Sequence, residues 1–223
     1  SYKIGIIEGA ESLSEGAVNA LLKILEEPKV KVVIILTVTD FEVLPKTIIS
    51  RSQILRFQPV KSDIIYDDLI KNHGAQRSQA KNFSRLAAGR PALALKFLEE
   101  KEYYENYETD VRAFVKLLNS DINERFKTIE DILGKNARGQ EAVKSAGKII
   151  DVWQNLTRDL MLLELDLADL IQHQVFVKDL AAIEKKLGLK SLLSLIRILK
   201  QAKEYLANNV GPKLTLENVA ASF

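Results

Sequence analysis

Residues 13–58 read LSEGAVNALLKILEEPKVKVVIILTVTDFEVLPKTIISRSQILRFQ, and the order of signals in this stretch decides the fold. Ser12 and Glu15 stand at capping-box spacing, which predicts a helix whose first-turn amides meet the Ser12 hydroxyl while Glu15 reaches back. Ala17, Ala20, Leu21, Ile24 and Leu25 share one helical face, and Pro28 forbids continuation after Glu26-Glu27. The apolar, β-branched run 32–38 predicts a strand covered on both faces in a parallel sheet. Pro45 opens a short helix, because the first turn has no use for its missing N–H. Arg51 stands near the end of that helix, within Ser50-Arg51-Ser52. Residues 4–7 before the stretch and 54–57 at its end read as two further strands, so three candidate strands remain to form a sheet.

Composition narrows the function classes. The 223 residues suffice for one large domain or two to three small ones, and 47% apolar content is that of an ordinary globular chain. With 32 basic against 30 acidic residues, nothing in the overall charge calls for nucleic acid, so any DNA contact would be a local patch. The absence of cysteine removes disulfides and thiolate metal sites and fits a reducing cytosol. No run reaches the roughly 18 apolar residues of a membrane span, so no membrane partner is expected. The chain opens on Ser1, and a strand signal begins at once, so it reads as a fragment whose upstream part is missing.

Beyond residue 60 the periodicity is helical. Residues 61–101 read as three short helices: one capped by Ser62 and stopped near His73-Gly74, one over 78–88 ended by Gly89, and one opened by Pro91. Tyr103, Tyr104, Tyr107, Val111, Phe114, Val115 and Leu118 then follow a 3–4 period, which predicts core packing for the aromatics. Further helices are predicted over 121–133, 139–165, 179–187 and 192–206, with a last one opened by Pro212. His73 reads as a helix-end cap. His173 has no second His or Cys at ligand spacing, which excludes metal there. Lys185, Lys186, Lys190, Arg197, Lys200 and Lys203 are interrupted by apolar residues and flanked by Glu184 and Glu204, so they read as a solvated helix face. The fold class is mainly α with an α/β portion, divided at 1–60, 61–101 and 102–223.

Several motifs resemble one family. Ala17-Val18-Asn19-Ala20-Leu21-Leu22-Lys23 with Leu25-Glu26-Glu27-Pro28, then Ile35-Leu36-Thr37 with Thr39-Asp40, Leu44-Pro45, Thr47-Ile48 and Ser50-Arg51, resemble the clamp-loader branch of the AAA+ ATPases. Asn208-Asn209-Val210-Gly211-Pro212-Lys213-Leu214 with Leu216-Glu217-Asn218 is similar to the tail of delta-prime-type subunits of the bacterial DNA polymerase III clamp loader. The resemblance implies a truncated AAA+ parallel-sheet core over 1–60, a three-helix lid over 61–101 and a helical collar for oligomerisation over 102–223. A phosphate-binding loop and, commonly, a zinc module lie upstream in that family.

The same resemblance assigns roles. Arg51 matches the arginine of Ser-Arg-Cys, which projects into a neighbouring subunit's ATP site, where a forked, permanently charged guanidinium stabilises charge during γ-phosphate transfer. Ser52 replaces the usual cysteine. Glu8 and Gly9 fall where working ATPases carry Asp-Glu, and glycine cannot orient the attacking water; Glu8 and Glu11 read as solvated loop acids. Thr39 matches the γ-phosphate sensor position but reads better as a strand-end cap. The lid's phosphate-sensing arginine position is held by Ala92, with Arg90 displaced beside Gly89.

These departures imply a non-hydrolysing structural subunit with no cofactor of its own, ATP and magnesium being held by the neighbour. The implied partners are gamma/tau and delta clamp-loader subunits, with the sliding clamp and primer-template DNA reached through the complex. Two other readings stay open: an ATP-hydrolysing gamma/tau-type subunit, and a helical adaptor of another AAA+ repair or recombination system.

Overall fold

Two apolar runs pair in the computed structural model of the protein, which describes residues 1–27, 30–135 and 137–222. β1 (Lys3–Ile7) and β2 (Val32–Leu36) form a parallel ladder in register from Lys3↔Val32 to Ile7↔Leu36. Period-2 alternation sends Ile7, Ile34 and Leu36 toward a small core built on Ala10, Leu21, Leu44 and Ile48. The other face is open: Ile4 is 65% exposed, Ile6 62%, Val33 41% and Ile35 44%. The expectation of a strand covered on both faces is therefore corrected to a strand covered on one. The third expected strand does not form either, since 54–57 has no ladder and leaves Phe57 92% exposed. A two-stranded sheet is what residues 1–57 build.

The first helix is capped differently from the sequence reading. Gly9 adopts a left-handed conformation (φ 63°) that turns the chain into a short 3-10 turn, Ala10–Ser12. Ser12 is used up in that turn, and Ser14 becomes the N-cap of α1 (Glu15–Glu26), its hydroxyl accepting from the Ala17 amide. The buried side of α1 is Leu21 with partly buried Val18, Leu22 and Leu25, whereas Ala20 and Ile24 face outward. Pro28, read as the stop of this helix, lies outside the described residues. A short α2 (Lys46–Ile49) follows, preceded by Pro45 as expected.

Residues 58–223 make a second compact unit, entirely helical among its described residues. α3 (Ser62–Lys71), α4 (Arg77–Leu86) and α5 (Pro91–Glu99) enclose a core of Ile65, Leu69, Ala80, Phe83, Leu86, Ala94 and Phe97. α6 (Lys101–Asn119), α7 (Ile122–Leu133), α8 (Gly139–Glu164), α9 (Val177–Glu184), α10 (Leu189–Ala207) and α11 (Pro212–Ala221) enclose a larger one around Trp153, Phe114, Leu117, Ile150, Leu156, Leu199 and Leu216. The Trp153 indole N–H donates to the Asp110 carbonyl at 3.3 Å, so its one polar atom is satisfied in the interior.

The aromatic run at the start of α6 packs into a core, as its periodicity predicts. Tyr103, Tyr104 and Tyr107 lie against Phe97, and Tyr104 also against Phe83, so the first two turns of α6 complete the three-helix core. Tyr107 packs against both cores, and from Val111 onward α6 serves the larger one. One helix thus carries two cores in succession.

Candidate functional site

Arg51 is presented by a deliberately tight piece of chain. Leu44 and Ile48 are buried and anchor α2, which ends in overlapping turns: the Arg51 amide donates to the Ile48 carbonyl and the Ser52 amide to that of Ile49, each at 3.2 Å. The Ser52 hydroxyl donates to the Ile48 carbonyl at 2.8 Å, so serine in this place closes the turn. The Arg51 guanidinium then folds back on its own helix end. Nη1 donates to the Thr47 carbonyl at 3.1 Å, where the negative end of the helix favours a cation. Nη2 pairs with Glu26 Oε1 at 3.2 Å, joining the C-terminal ends of α1 and α2. The Arg51 side chain keeps 39% of its surface exposed, and that of Glu26 53%, so the pair is solvated and worth about 0–1 kcal/mol.

A second group gathers where the parallel strands end. The Ala10 amide donates to the Thr37 carbonyl, bringing the two strand exits together. Glu11 Oε1 accepts from the Thr39 hydroxyl at 2.9 Å and from the Thr39 amide at 3.4 Å. Hydrogen bonds from its own backbone amide, then from the Thr39 hydroxyl, hold the Glu11 carboxyl below the usual carboxylate range. The structure thus joins Thr39 to Glu11, which sequence reasoning had left as a solvated loop acid; their separation by 28 residues offers no local signal. Glu8 remains exposed, and Gly9 holds the left-handed turn. Asp40 caps the following 3-10 turn by accepting from the Glu42 amide.

Arg90 and Ala92 belong to the helical unit. The Arg90 side chain donates from Nε to the Ala87 carbonyl at 3.1 Å, and Ala92 lies exposed in the first turn of α5. Gly89 before them cannot be replaced freely. Its φ is +82°, and a Cβ built there would stand 2.5 Å from Pro59 Cβ. His73 lies 3.6 Å from Asp68 at the end of α3. The basic residues of α9 and α10 are exposed, with Lys203 paired to Asp151 and Lys186 donating to Asn119.

The group that sequence reasoning missed is internal. His173, Asp159 and Thr157 have no exposed surface. Asp159 accepts from the His173 ring at Nδ1 (2.7 Å) and from the backbone amides of His173 (2.8 Å) and Gln172 (3.0 Å). Its other oxygen pairs with Arg158 at 3.2 Å. His173 Nε2 lies 2.6 Å from the Tyr107 hydroxyl, with the two rings parallel. Burial, then the Asp159 charge, pushes the Tyr107 phenol above its ordinary range, so it stays protonated; in the tautomer whose Nδ1–H donates to Asp159, Nε2 accepts from its hydroxyl. His173 had been set aside as a lone histidine; its partners stand 14 and 66 residues away, beyond any spacing rule.

No group of His, Cys, Asp or Glu among the described residues has a metal-holding arrangement, and none of the described helices is long and apolar enough to cross a membrane.

Residues 1–61 match the family described as DNA polymerase III, delta subunit. DNA polymerase III subunit delta' of Haemophilus influenzae is 34% identical over 98 residues, 44% of this chain and 30% of the relative. Subunit tau of Bacillus subtilis is 40% identical over 84 residues, 38% of this chain and 15% of the relative. Subunit gamma of Buchnera aphidicola (strain Sg) is 27% identical over 190 residues, 80% of this chain and 52% of the relative. The chain thus spans from 15% to 52% of the length of these relatives. The chain is thus similar to delta', tau and gamma subunits of DNA polymerase III alike, and its family match lies within residues 1–61.

Proposed function

We propose that this chain is part of a delta-prime-type subunit of the DNA polymerase III clamp loader, a structural rather than ATP-hydrolysing component acting in the cytoplasm. The observation that carries the reading is Arg51: a half-exposed guanidinium at the tip of a buried-anchored turn, held by a solvated ion pair that a phosphate can displace. In the assembled ring Arg51 would leave Glu26 and reach the ATP of a neighbouring gamma/tau-type subunit, which holds the magnesium. Residues 61–101 would act as the lid and 102–223 as the collar that joins gamma/tau and delta partners. Sliding clamp and primer-template DNA would be met through the complex. Gly9 in place of a carboxylate, and Ala92 in place of a sensing arginine, support a subunit without hydrolysis of its own.

A second reading has its own support. The Buchnera gamma subunit aligns with 80% of this chain, farther than the Haemophilus delta' subunit does, which favours a gamma/tau-type ATPase.

One experiment separates the two readings. In a clamp loader reconstituted with the full-length subunit, Arg51→Ala is expected to leave assembly intact and to reduce DNA-stimulated ATP hydrolysis about 10-fold or more. Unchanged turnover removes the trans-acting role. ATP hydrolysis by the full-length subunit alone favours the gamma/tau reading. Failure of this chain to co-purify with a gamma/tau subunit, when the full-length subunit also fails, removes the family function altogether.

A further inference from the structure

The connection between α5 and α6 is a single residue. Glu100 closes one helix and opens the next, with φ −104° and ψ 86°. Whatever keeps the three-helix group in one position on the bundle must therefore come from side chains. Tyr107 is the residue common to both packed groups: its ring lies edge-on to Phe97 at 5.0 Å and meets the parallel His173 ring end to end through the hydroxyl contact of 2.6 Å.

The polar chain behind that ring is complete. The Tyr107 hydroxyl donates to His173 Nε2, His173 Nδ1–H donates to Asp159, and Asp159 is held in turn by two backbone amides and Arg158. In this assignment a neutral imidazole leaves no donor or acceptor of the ring unmet. Such a fully satisfied buried network specifies one arrangement, because any displacement strands polar groups away from water. It belongs to three separate pieces of chain: α6, α8 and the segment 171–174. A further tie runs from the three-helix group to the same region, where Arg85 Nη1 donates to the Asp169 carbonyl at 3.4 Å.

We propose that the Tyr107–His173–Asp159 chain is a latch that fixes the α3–α5 group on the helical bundle, with Glu100 as the pivot. With the latch closed, the Tyr107 ring is a rigid seat for Phe97. With the hydroxyl contact broken, the ring is free to turn, and the three-helix group shifts about Glu100, its contacts with Tyr103 and Tyr104 re-forming while the larger core stays packed. This device does not depend on the clamp-loader reading.

The test uses the whole chain, whose lack of cysteine lets spin labels be placed at will. Labels at the exposed positions Lys81 on α4 and Ser194 on α10 report the group against the bundle; labels at Lys127 on α7 and Ser194 report the bundle alone. Pulsed-dipolar spectroscopy on Tyr107→Phe, which keeps the ring and removes only the hydroxyl, is expected to broaden or split the Lys81–Ser194 distance distribution. The Lys127–Ser194 distribution is expected to stay as in the unmodified protein. His173→Gln should broaden the first pair likewise. Thr157→Ala, which removes a buried hydroxyl bonded to the Trp153 carbonyl at 2.8 Å without touching the latch, should leave both pairs narrow. Unchanged Lys81–Ser194 distances in both latch variants would overturn the proposal, and so would equal broadening in Thr157→Ala.

Discussion

Substituting Gly89 by alanine tests whether the approach of residues 59–60 to the end of α4 is as close as the structure has it. Two costs can be separated. Gly89 has φ +82°, where an L side chain is strained by about 1–3 kcal/mol. The added Cβ would also meet Pro59 Cβ at 2.5 Å, Pro59 Cα at 3.0 Å and the Val60 amide nitrogen at 3.2 Å. Those neighbours are a proline ring and main chain, so no flexible side chain can yield. Overpacking of this kind costs about 1–3 kcal/mol. The shift would also loosen the 2.9 Å bond from the Val60 amide to the Gly89 carbonyl, worth about 1 kcal/mol. Together these give about 3–7 kcal/mol. Thermal unfolding followed by circular dichroism should show a Tm lower by about 6 °C or more, at roughly 2–4 °C per kcal/mol for a unit of this size. Gly134→Ala supplies the reference, because φ there is +91° and nothing lies within 4 Å of the added methyl. Its loss should be the backbone cost alone, about 1–3 kcal/mol. Equal Tm shifts in the two variants would refute the close-approach argument, since strain would then account for both.

Asp110 on α6 offers a pH signature: burial raises its carboxyl to about 6, partly opposed by Lys148. A folded-state value above the unfolded one contributes stability that is complete below the ordinary carboxylate range and lost as pH rises through about 6. Asp110→Asn should therefore be more stable than the unmodified chain at pH 7–8, by up to about 3 kcal/mol, and should flatten urea stability between pH 4 and 7; equal pH profiles would rule this out. On the open sheet face, Ile4→Thr with Ile35→Thr should reduce concentration-dependent light scattering without lowering Tm by more than a few degrees, because Ile4 is already 65% and Ile35 44% exposed. A large loss of Tm would mean that this face is covered.

The helical part of the protein was largely legible from its punctuation. Pro91 and Pro212 open α5 and α11, and Gly134 ends α7, because a fixed φ or a missing Cβ constrains a boundary whatever surrounds it. Reading residues 1–57 was less successful where the outcome depended on neighbours. Ser12 has capping-box spacing, yet the left-handed Gly9 draws it into a 3-10 turn and passes the cap to Ser14. The run 54–57 has strand-like residues but no partner among the described residues, and a strand is a property of a pair. As for Arg51, the motif located it, and only the fold could supply Glu26 and the Thr47 carbonyl as its resting partners.

Local chemistry by itself therefore determined the helical class, most helix ends, the parallel-strand character of the first segment and the position of Arg51, since each follows from residues within a turn or two of one another. Tertiary structure alone decided that the sheet is covered on one face, that the α6 aromatics complete the three-helix core, and that Glu11 meets Thr39. It also decided that a histidine set aside as solitary is the centre of a buried Tyr107–His173–Asp159 chain. The contacts of that chain join residues 14 and 66 positions apart, and their strength comes from exclusion of water, a condition that exists only once the helices have packed.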